Sequence, residues 1–154
     1  MTTYPASSSR VIIDRSNPDL AALVLRVAMG LMFLVHGSLK LFVFTPAGTA
    51  AFFQSIGLPG PLAYLVIFAE IAGGIALILG FWTRYVSLAL VPLMLGTIYS
   101  VHAAAGYFFS NAGGGWEFPA FWVVALIVQS LLGNGALRLA TGRPAKAGLT
   151  TPKE

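Results

Sequence analysis

The chain has 154 residues, enough for one domain, and 57% of them are hydrophobic while only 9% are charged. Soluble domains carry about 25% charged residues, so this composition excludes a soluble globular fold and suits lipid as the solvent. The net charge of +4 does not indicate nucleic-acid binding, because the cations flank apolar runs rather than forming a basic face.

The apolar runs predict an all-α fold, a membrane-spanning four-helix bundle over residues 20–139. Residues 1–19 are polar and are predicted to be a flexible cytoplasmic tail, in which Asn17, Pro18 and Asp19 provide a helix start. At a rise of 1.5 Å per residue, about 20 residues cross a hydrocarbon core of about 30 Å. Residues 140–154 are predicted to be a basic cytoplasmic tail. The four helices are expected at about 20–44, 62–80, 85–104 and 119–137.

Arginine and lysine positions predict the orientation. Both tails and the 81–84 turn carry cations, whereas the 45–61 and 105–118 loops carry none. The positive-inside rule therefore places both termini in the cytoplasm and those two loops outside.

The two outer loops also carry local signals. Thr45-Pro46 precedes a stretch, 47–56, that is predicted to form a short interfacial helix. Three aromatic residues of the second loop and the last helix are assigned to the interfacial aromatic belt: Tyr107, Trp116 and Trp122.

Four ionisable residues inside the apolar segments are singled out: His36, Lys40, Glu70 and His102. Arg26, near the start of the first segment, is grouped with the cations that flank the apolar runs. Each such group near a helix centre costs at least about 2.5–3.5 kcal/mol and needs an explanation. All four are expected in the outer half of the bundle, so they predict a polar pocket for a quinone or another ligand, with Glu117 at its mouth. Glu70 and His36 are the candidates for proton handling.

Purely structural roles for these residues are alternative interpretations. Lys40 can snorkel to the interface, His102 can be an ordinary interfacial histidine, and Glu117 can act only on a helix dipole. Glu70 and His36 can form a structural pair. Gly73 and Gly74, which follow Glu70, predict that its face approaches a neighbouring helix closely.

The residue types also limit the chemistry. The chain has no cysteine, so disulfides, thiolate metal sites and a CxxC redox pair are excluded. The two histidines lack the H-x-x-H or H-x-x-x-H spacing of a helical metal site, and no metal site is predicted. Any electrons must therefore come through a bound cofactor, a quinone or a partner protein.

The order of these residues resembles the DoxX family of small four-helix membrane proteins over about residues 20–140. The resemblance rests on 26–30 with 36–42, on 57–59 with 70–74 and 79–84, on His102, and on 115–119. It implies a membrane subunit of a redox system, linked to quinone and to sulfur or oxidative-stress metabolism, in a bacterial-type cytoplasmic (inner) membrane.

Three functions remain as hypotheses. The first is a quinone-linked oxidoreductase subunit with a redox partner, the second a small solute or ion transporter, and the third a non-catalytic membrane scaffold. Whether the chain is itself an enzyme stays open, as does a homo-oligomer, which the small interior of a short bundle would suit.

Overall fold

A computed structural model describes residues 17–139, and the predicted tails lie outside this range apart from residues 17–19. Within the described residues every regular element is helical. The five α-helices are α1 (Pro18–Ser38), α2 (Pro46–Ser55), α3 (Leu62–Leu79), α4 (Thr83–Thr97) and α5 (Glu117–Leu132). A π-helical turn extends α1 to Val43, and π and 3₁₀ turns extend α4 to Ala105.

Side-chain caps explain where two helices begin. The Asn17 side chain accepts a hydrogen bond of 3.2 Å from the Leu20 amide, with proline at the first helical position. The Thr45 hydroxyl accepts one of 3.2 Å from the Gly48 amide at the start of α2. Both satisfy amides that have no partner inside the helix. The predicted helix start at Asn17 and the predicted short helix after Thr45 are confirmed.

Three helices are long and apolar enough to cross a membrane: Pro18–Val43, Leu62–Leu79 and Thr83–Ala105. The fourth, α5, is apolar but has 16 residues, which is about 24 Å against a core of about 30 Å. It ends at Leu132 rather than at the expected 137, because Gly133 has a φ of 82° and leaves the helical conformation. The all-α membrane bundle is confirmed, whereas the orientation of the termini stays a prediction.

The helices α1 and α3 run antiparallel at very short range. A Cβ atom on Gly30 would lie 2.7 Å from the Gly74 carbonyl oxygen, and one on Gly74 would lie 2.8 Å from that of Gly30. Only glycine allows backbones to come so close. Gly74 therefore provides the close approach predicted for the Glu70 face, while Gly73 contacts Leu90 of α4.

The core lies between α1, α3, α4 and α5. Its buried members are Met29, Phe33, Leu77, Leu90, Met94, Trp122, Ala125 and Leu126. Trp122 is only 4% exposed and its ring lies 4.9 Å from that of Phe33. Its assignment to the interfacial belt was wrong, because an indole on the inner face of α5 packs against α1. Tyr107 and Trp116 are exposed.

We name the two ends of the bundle by what lies there. The termini end holds the start of α1, the 80–82 turn between α3 and α4, and the segment 133–139, which we call the C-terminal strap. The loop end holds the 39–61 connection and the 103–116 loop.

Candidate functional site

Lys40 and Glu70 form a buried ion pair at the loop end, between α1 and α3. The Lys40 ammonium donates to both carboxylate oxygens of Glu70, at 2.8 and 2.9 Å. The side chains are 21% and 6% exposed. Lys40 therefore pairs with a carboxylate inside the bundle instead of extending only toward the membrane interface.

A glycine makes the pair possible. Gly37 lies one turn before Lys40, and a Cβ atom there would lie 3.2 Å from the Cβ of Glu70 and 2.7 Å from the Ile71 side chain. The missing side chain lets α3 approach, so the two charged groups meet across the seam. The opposite charges offset much of the desolvation that each would suffer alone in a low dielectric.

His36 lies one helical turn before Lys40 but has different contacts. Its Nδ1 lies 2.8 Å from the Met32 carbonyl oxygen, which can only accept, so Nδ1 carries the hydrogen and Nε2 is left to accept or carry a proton. The ring stands edge-on to Trp122 at 5.2 Å. His36 is exposed and has no hydrogen bond to Glu70. Of the two candidates for proton handling, Glu70 is hydrogen-bonded to Lys40 and His36 to Met32, so they lie on neighbouring turns without a shared hydrogen bond.

His102 and Glu117 brace the 103–116 loop. His102 Nδ1 donates to the Gly114 carbonyl at 2.7 Å, and the Phe109 amide donates to the Glu117 carboxylate at 2.6 Å. The Glu117 amide in turn donates to the Tyr107 carbonyl at 3.0 Å. These two predicted pocket residues therefore hold loop backbone and are not part of the Lys40–Glu70 pair.

A groove of about 530 Å³ opens beside this loop. Its lining residues are Tyr107, Phe109, Glu117, Phe118 and Phe121. A row of aromatic rings leads from it into the bundle: Phe109 to Phe118 at 6.2 Å, Phe118 to Trp122 at 5.8 Å, and Trp122 to His36 at 5.2 Å. A row of aromatic rings between α5 and α1 therefore connects the groove to His36.

A second cation inside the bundle, Arg26, lies at the termini end and was not predicted from the sequence. Arg26 is fully buried, and its guanidinium donates to the carbonyls of Ile78 at 3.2 Å and of Ala136 and Leu137 at 2.9 Å each. Gly80 packs directly against this guanidinium, where a Cβ would clash. Its position two turns inside an apolar run was the available signal, but Arg26 was grouped with the flanking cations.

Other polar side chains are also buried toward this end. Thr83, Ser87 and Gln129 are fully buried. Within residues 17–139 the two hydroxyls and the Gln129 carbonyl oxygen have no hydrogen-bond partner. The termini half of the bundle is therefore more polar inside than its apolar helix segments suggested.

These features define a class, that of small helical membrane proteins with a charged pair buried between two glycine-packed helices. The family model described as DoxX matches residues 21–103, and the chain belongs to the DoxX family.

Three bacterial proteins illustrate what the chain is similar to. The chain is 35% identical over 121 residues to "Putative oxidoreductase CatD" of Bacillus subtilis (strain 168), a match that covers 79% of this chain and 85% of that protein. It is 34% identical over 85 residues to "Inner membrane protein YqjF" of Escherichia coli (strain K12), covering 55% and 64%. It is 28% identical over 127 residues to "Inner membrane protein YphA" of the same organism, covering 76% and 86%. No solved structure matches the chain.

Proposed function

We propose that this protein is a membrane subunit of a quinone-linked redox system in a bacterial-type inner membrane. The observation that carries the proposal is the buried Lys40–Glu70 pair. A carboxylate that lies inside a membrane bundle and is paired with one ammonium group can change its protonation state or its partner when a polar ligand arrives. Backbone carbonyls cannot do either. The relative named as an oxidoreductase and the two named as inner membrane proteins support the chemistry and the location.

The groove beside Glu117 fits a quinone headgroup. Aromatic walls suit a flat ring, the groove is open enough for an isoprenoid tail to leave toward lipid, and its volume of about 530 Å³ lies in the ordinary range for small-ligand sites, about 300–1,000 Å³. A bound quinone would supply the reversible uptake of two electrons and two protons. The electrons would come from a partner protein or from another bound cofactor, since the chain has no cysteine pair of its own.

The chain's own residues would handle the protons. His36 Nε2 can take up or release a proton because Nδ1 is held by Met32. Lys40 has a third N–H beyond the two that it gives to Glu70; because Lys40 does not line the groove, its positive charge would act on a reduced ligand at a distance rather than through a hydrogen bond. Glu70 accepts two hydrogen bonds from Lys40 and can accept a proton when that pairing is released.

The experiment is quinone analysis by mass spectrometry on the full chain, extracted gently from native membranes. We expect quinone to copurify with the wild type and with Asp19→Asn, a matched loss of a carboxylate at the other end of the bundle. Glu70→Gln is expected to retain about tenfold less, equivalent to about 1.4 kcal/mol of binding. Absence of quinone from the wild type, or equal retention in all three proteins, would overturn the proposal.

Transport of a small solute or ion is the second candidate. It is favoured by the buried hydroxyls and amide of Thr83, Ser87 and Gln129, which add polar groups to the half of the bundle opposite the Lys40–Glu70 pair. Proteoliposome flux that is lost in both Glu70→Gln and Ser87→Val, with no quinone retained by the wild type, would select this function.

A further inference from the structure

A second pocket, at the termini end, is lined by two arginines that approach it from different elements. Arg84 comes from the first turn of α4 and Arg138 from the C-terminal strap, and the space between them is about 380 Å³. Within residues 17–139 neither arginine forms an ion pair or a side-chain hydrogen bond. Asp19 also lines the pocket, so two cations against one anion leave the lining with a net positive charge.

Exposed aromatic residues lie beside these cations. Trp82 and Tyr85 line the same pocket and are 57% and 73% exposed, and Leu132 at its edge is also exposed. Exposed tryptophan and tyrosine at the end of a membrane helix lie at the level of the lipid headgroups. The pocket thus combines cationic donors with an apolar rim, at the depth where a lipid places its phosphate above its acyl chains.

The frame of the pocket is fixed by contacts that do not involve its cations. The strap is tied to the start of α1 by the Ala136 amide, which donates to the Asp19 carbonyl at 3.0 Å, and to the end of α3 by the Leu139 amide, which donates to the Leu79 carbonyl at 3.1 Å. The buried Arg26 holds two further strap carbonyls. Because these ties lie on both sides of Arg138, the position of its backbone is set before any ligand arrives.

Arg84 is positioned in a comparable way. A Cβ atom on Gly133 would lie 2.9 Å from Arg84 Nε and 3.1 Å from Nη2, so the absent side chain makes the room in which the guanidinium lies. Trp82, two residues earlier, has a left-handed backbone with a φ of 45°, an unusual conformation for a bulky residue. The turn therefore presents its aromatic and its arginine toward the same pocket.

We propose that this pocket binds the phosphate of an anionic phospholipid headgroup, held between the Arg84 and Arg138 guanidinium groups. Planar guanidinium forks bind phosphate oxygens through paired charge-assisted hydrogen bonds, and basic pockets between membrane helices are a known setting for anionic headgroups. The aromatic rim is the reason to choose a lipid over a free phosphate, since a soluble anion gains nothing from exposed Trp82 and Tyr85. The inference is independent of the proposed redox function.

The test is native mass spectrometry of the full chain in detergent, titrated with phosphatidylglycerol, phosphatidylcholine or inorganic phosphate. We expect tight binding of one phosphatidylglycerol, weak binding of phosphatidylcholine, and no competition by inorganic phosphate at equal concentration. Arg84→Gln with Arg138→Gln is expected to weaken phosphatidylglycerol binding by at least about tenfold.

Arg143→Gln is the matched control, since it removes one positive charge from the tail outside the described residues. It should change the affinity by less than about twofold. An equal effect of Arg143→Gln and Arg138→Gln would reduce the site to diffuse charge, and competition by inorganic phosphate would make it a soluble-anion site. Either result overturns the proposal, as would full binding by the double variant. If the double variant does not fold, the same comparison is made with Arg138→Gln alone, whose side chain has no hydrogen bond to another described residue.

Discussion

A buried cation at each end of the bundle has a different kind of partner. At the termini end, Arg26 is fully buried and binds three backbone carbonyls, from the end of α3 and from the C-terminal strap. At the loop end, Lys40 donates to the Glu70 carboxylate, so its acceptor is a side chain rather than the backbone.

On our proposal, this difference separates a structural role, that of Arg26, from a functional role, that of the Lys40–Glu70 pair. Backbone carbonyl oxygens do not titrate, and that of Ile78 lies at the end of α3, where the helix dipole is negative. Arg26 therefore fastens α1, α3 and the strap in one arrangement. A carboxylate can gain a proton or release its lysine, so the loop-end pair can respond to a ligand. In a membrane protein, the partner of a buried cation is therefore more informative than its burial.

The largest effect on stability is expected from Arg26→Leu, which removes the buried cation at the termini end. Three carbonyls lose their donor, and among the described residues the strap keeps its two backbone hydrogen bonds to Asp19 and Leu79 and the hydrogen bonds between Gly133 and Gln129. We expect a loss of about 3–5 kcal/mol in the free energy of unfolding, in line with breaking other buried charged interactions. Unfolding in mixed detergent micelles measures it. Arg26→Lys keeps the charge without the fork and should lie between the two, while wild-type stability in Arg26→Leu would refute the structural role.

A double-mutant cycle on the loop-end pair sharpens the comparison. Glu70→Leu alone leaves Lys40 without its partner, at an expected cost of about 2–3 kcal/mol, below the 3–5 of fully buried pairs because Lys40 is 21% exposed. The double variant Lys40→Met with Glu70→Leu should recover most of that loss, since apolar residues of similar volume often replace buried pairs without penalty. Equal destabilisation of the single and double variants would contradict this expectation.

The seam that joins the two ends gives a smaller effect. Gly74→Ala places a methyl group 2.8 Å from the Gly30 carbonyl oxygen, and overpacking of this kind costs about 1–3 kcal/mol. Gly96→Ala is the control, because a Cβ atom there meets nothing within 4 Å, and it should be neutral or slightly stabilising. The same unfolding assay decides, and similar stability losses in both variants would count against a tight α1–α3 seam.

The smallest effect is expected where the loop end is braced. His102→Phe removes the hydrogen bond to Gly114, and Glu117→Gln weakens the acceptor for the Phe109 amide. Each should cost about 0.5–1.5 kcal/mol and should speed hydrogen exchange within residues 103–116 while leaving α1 and α3 unchanged. Exchange that rises equally throughout the bundle would show that these residues do more than brace the loop.

Much of the fold followed from the sequence because its signals are local. The Asn17 cap, the short helix after Thr45 and the apolar segments depend on neighbouring residues, and the structure places them as predicted. The end of α5 was placed late because an apolar segment runs on past Gly133, and only the backbone conformation of that glycine shows where the helix stops.

The site was harder to predict because its contacts are between distant helices. Depth along each helix grouped His36, Lys40 and Glu70 correctly at the loop end, but depth does not determine which way each side chain points around its helix. The actual partners depend on the α1–α3 crossing that Gly37 and Gly74 allow. Arg26 was missed for the same reason, since two of its three acceptors lie more than a hundred residues away in the chain.

The central claim is that the Lys40–Glu70 pair serves ligand chemistry rather than stability. The most direct measurement takes the double variant Lys40→Met with Glu70→Leu and determines its unfolding free energy and its retained quinone on the same preparation. We predict stability within about 1 kcal/mol of the wild type together with at least about tenfold less quinone. Wild-type quinone retention in a stable double variant would contradict the claim.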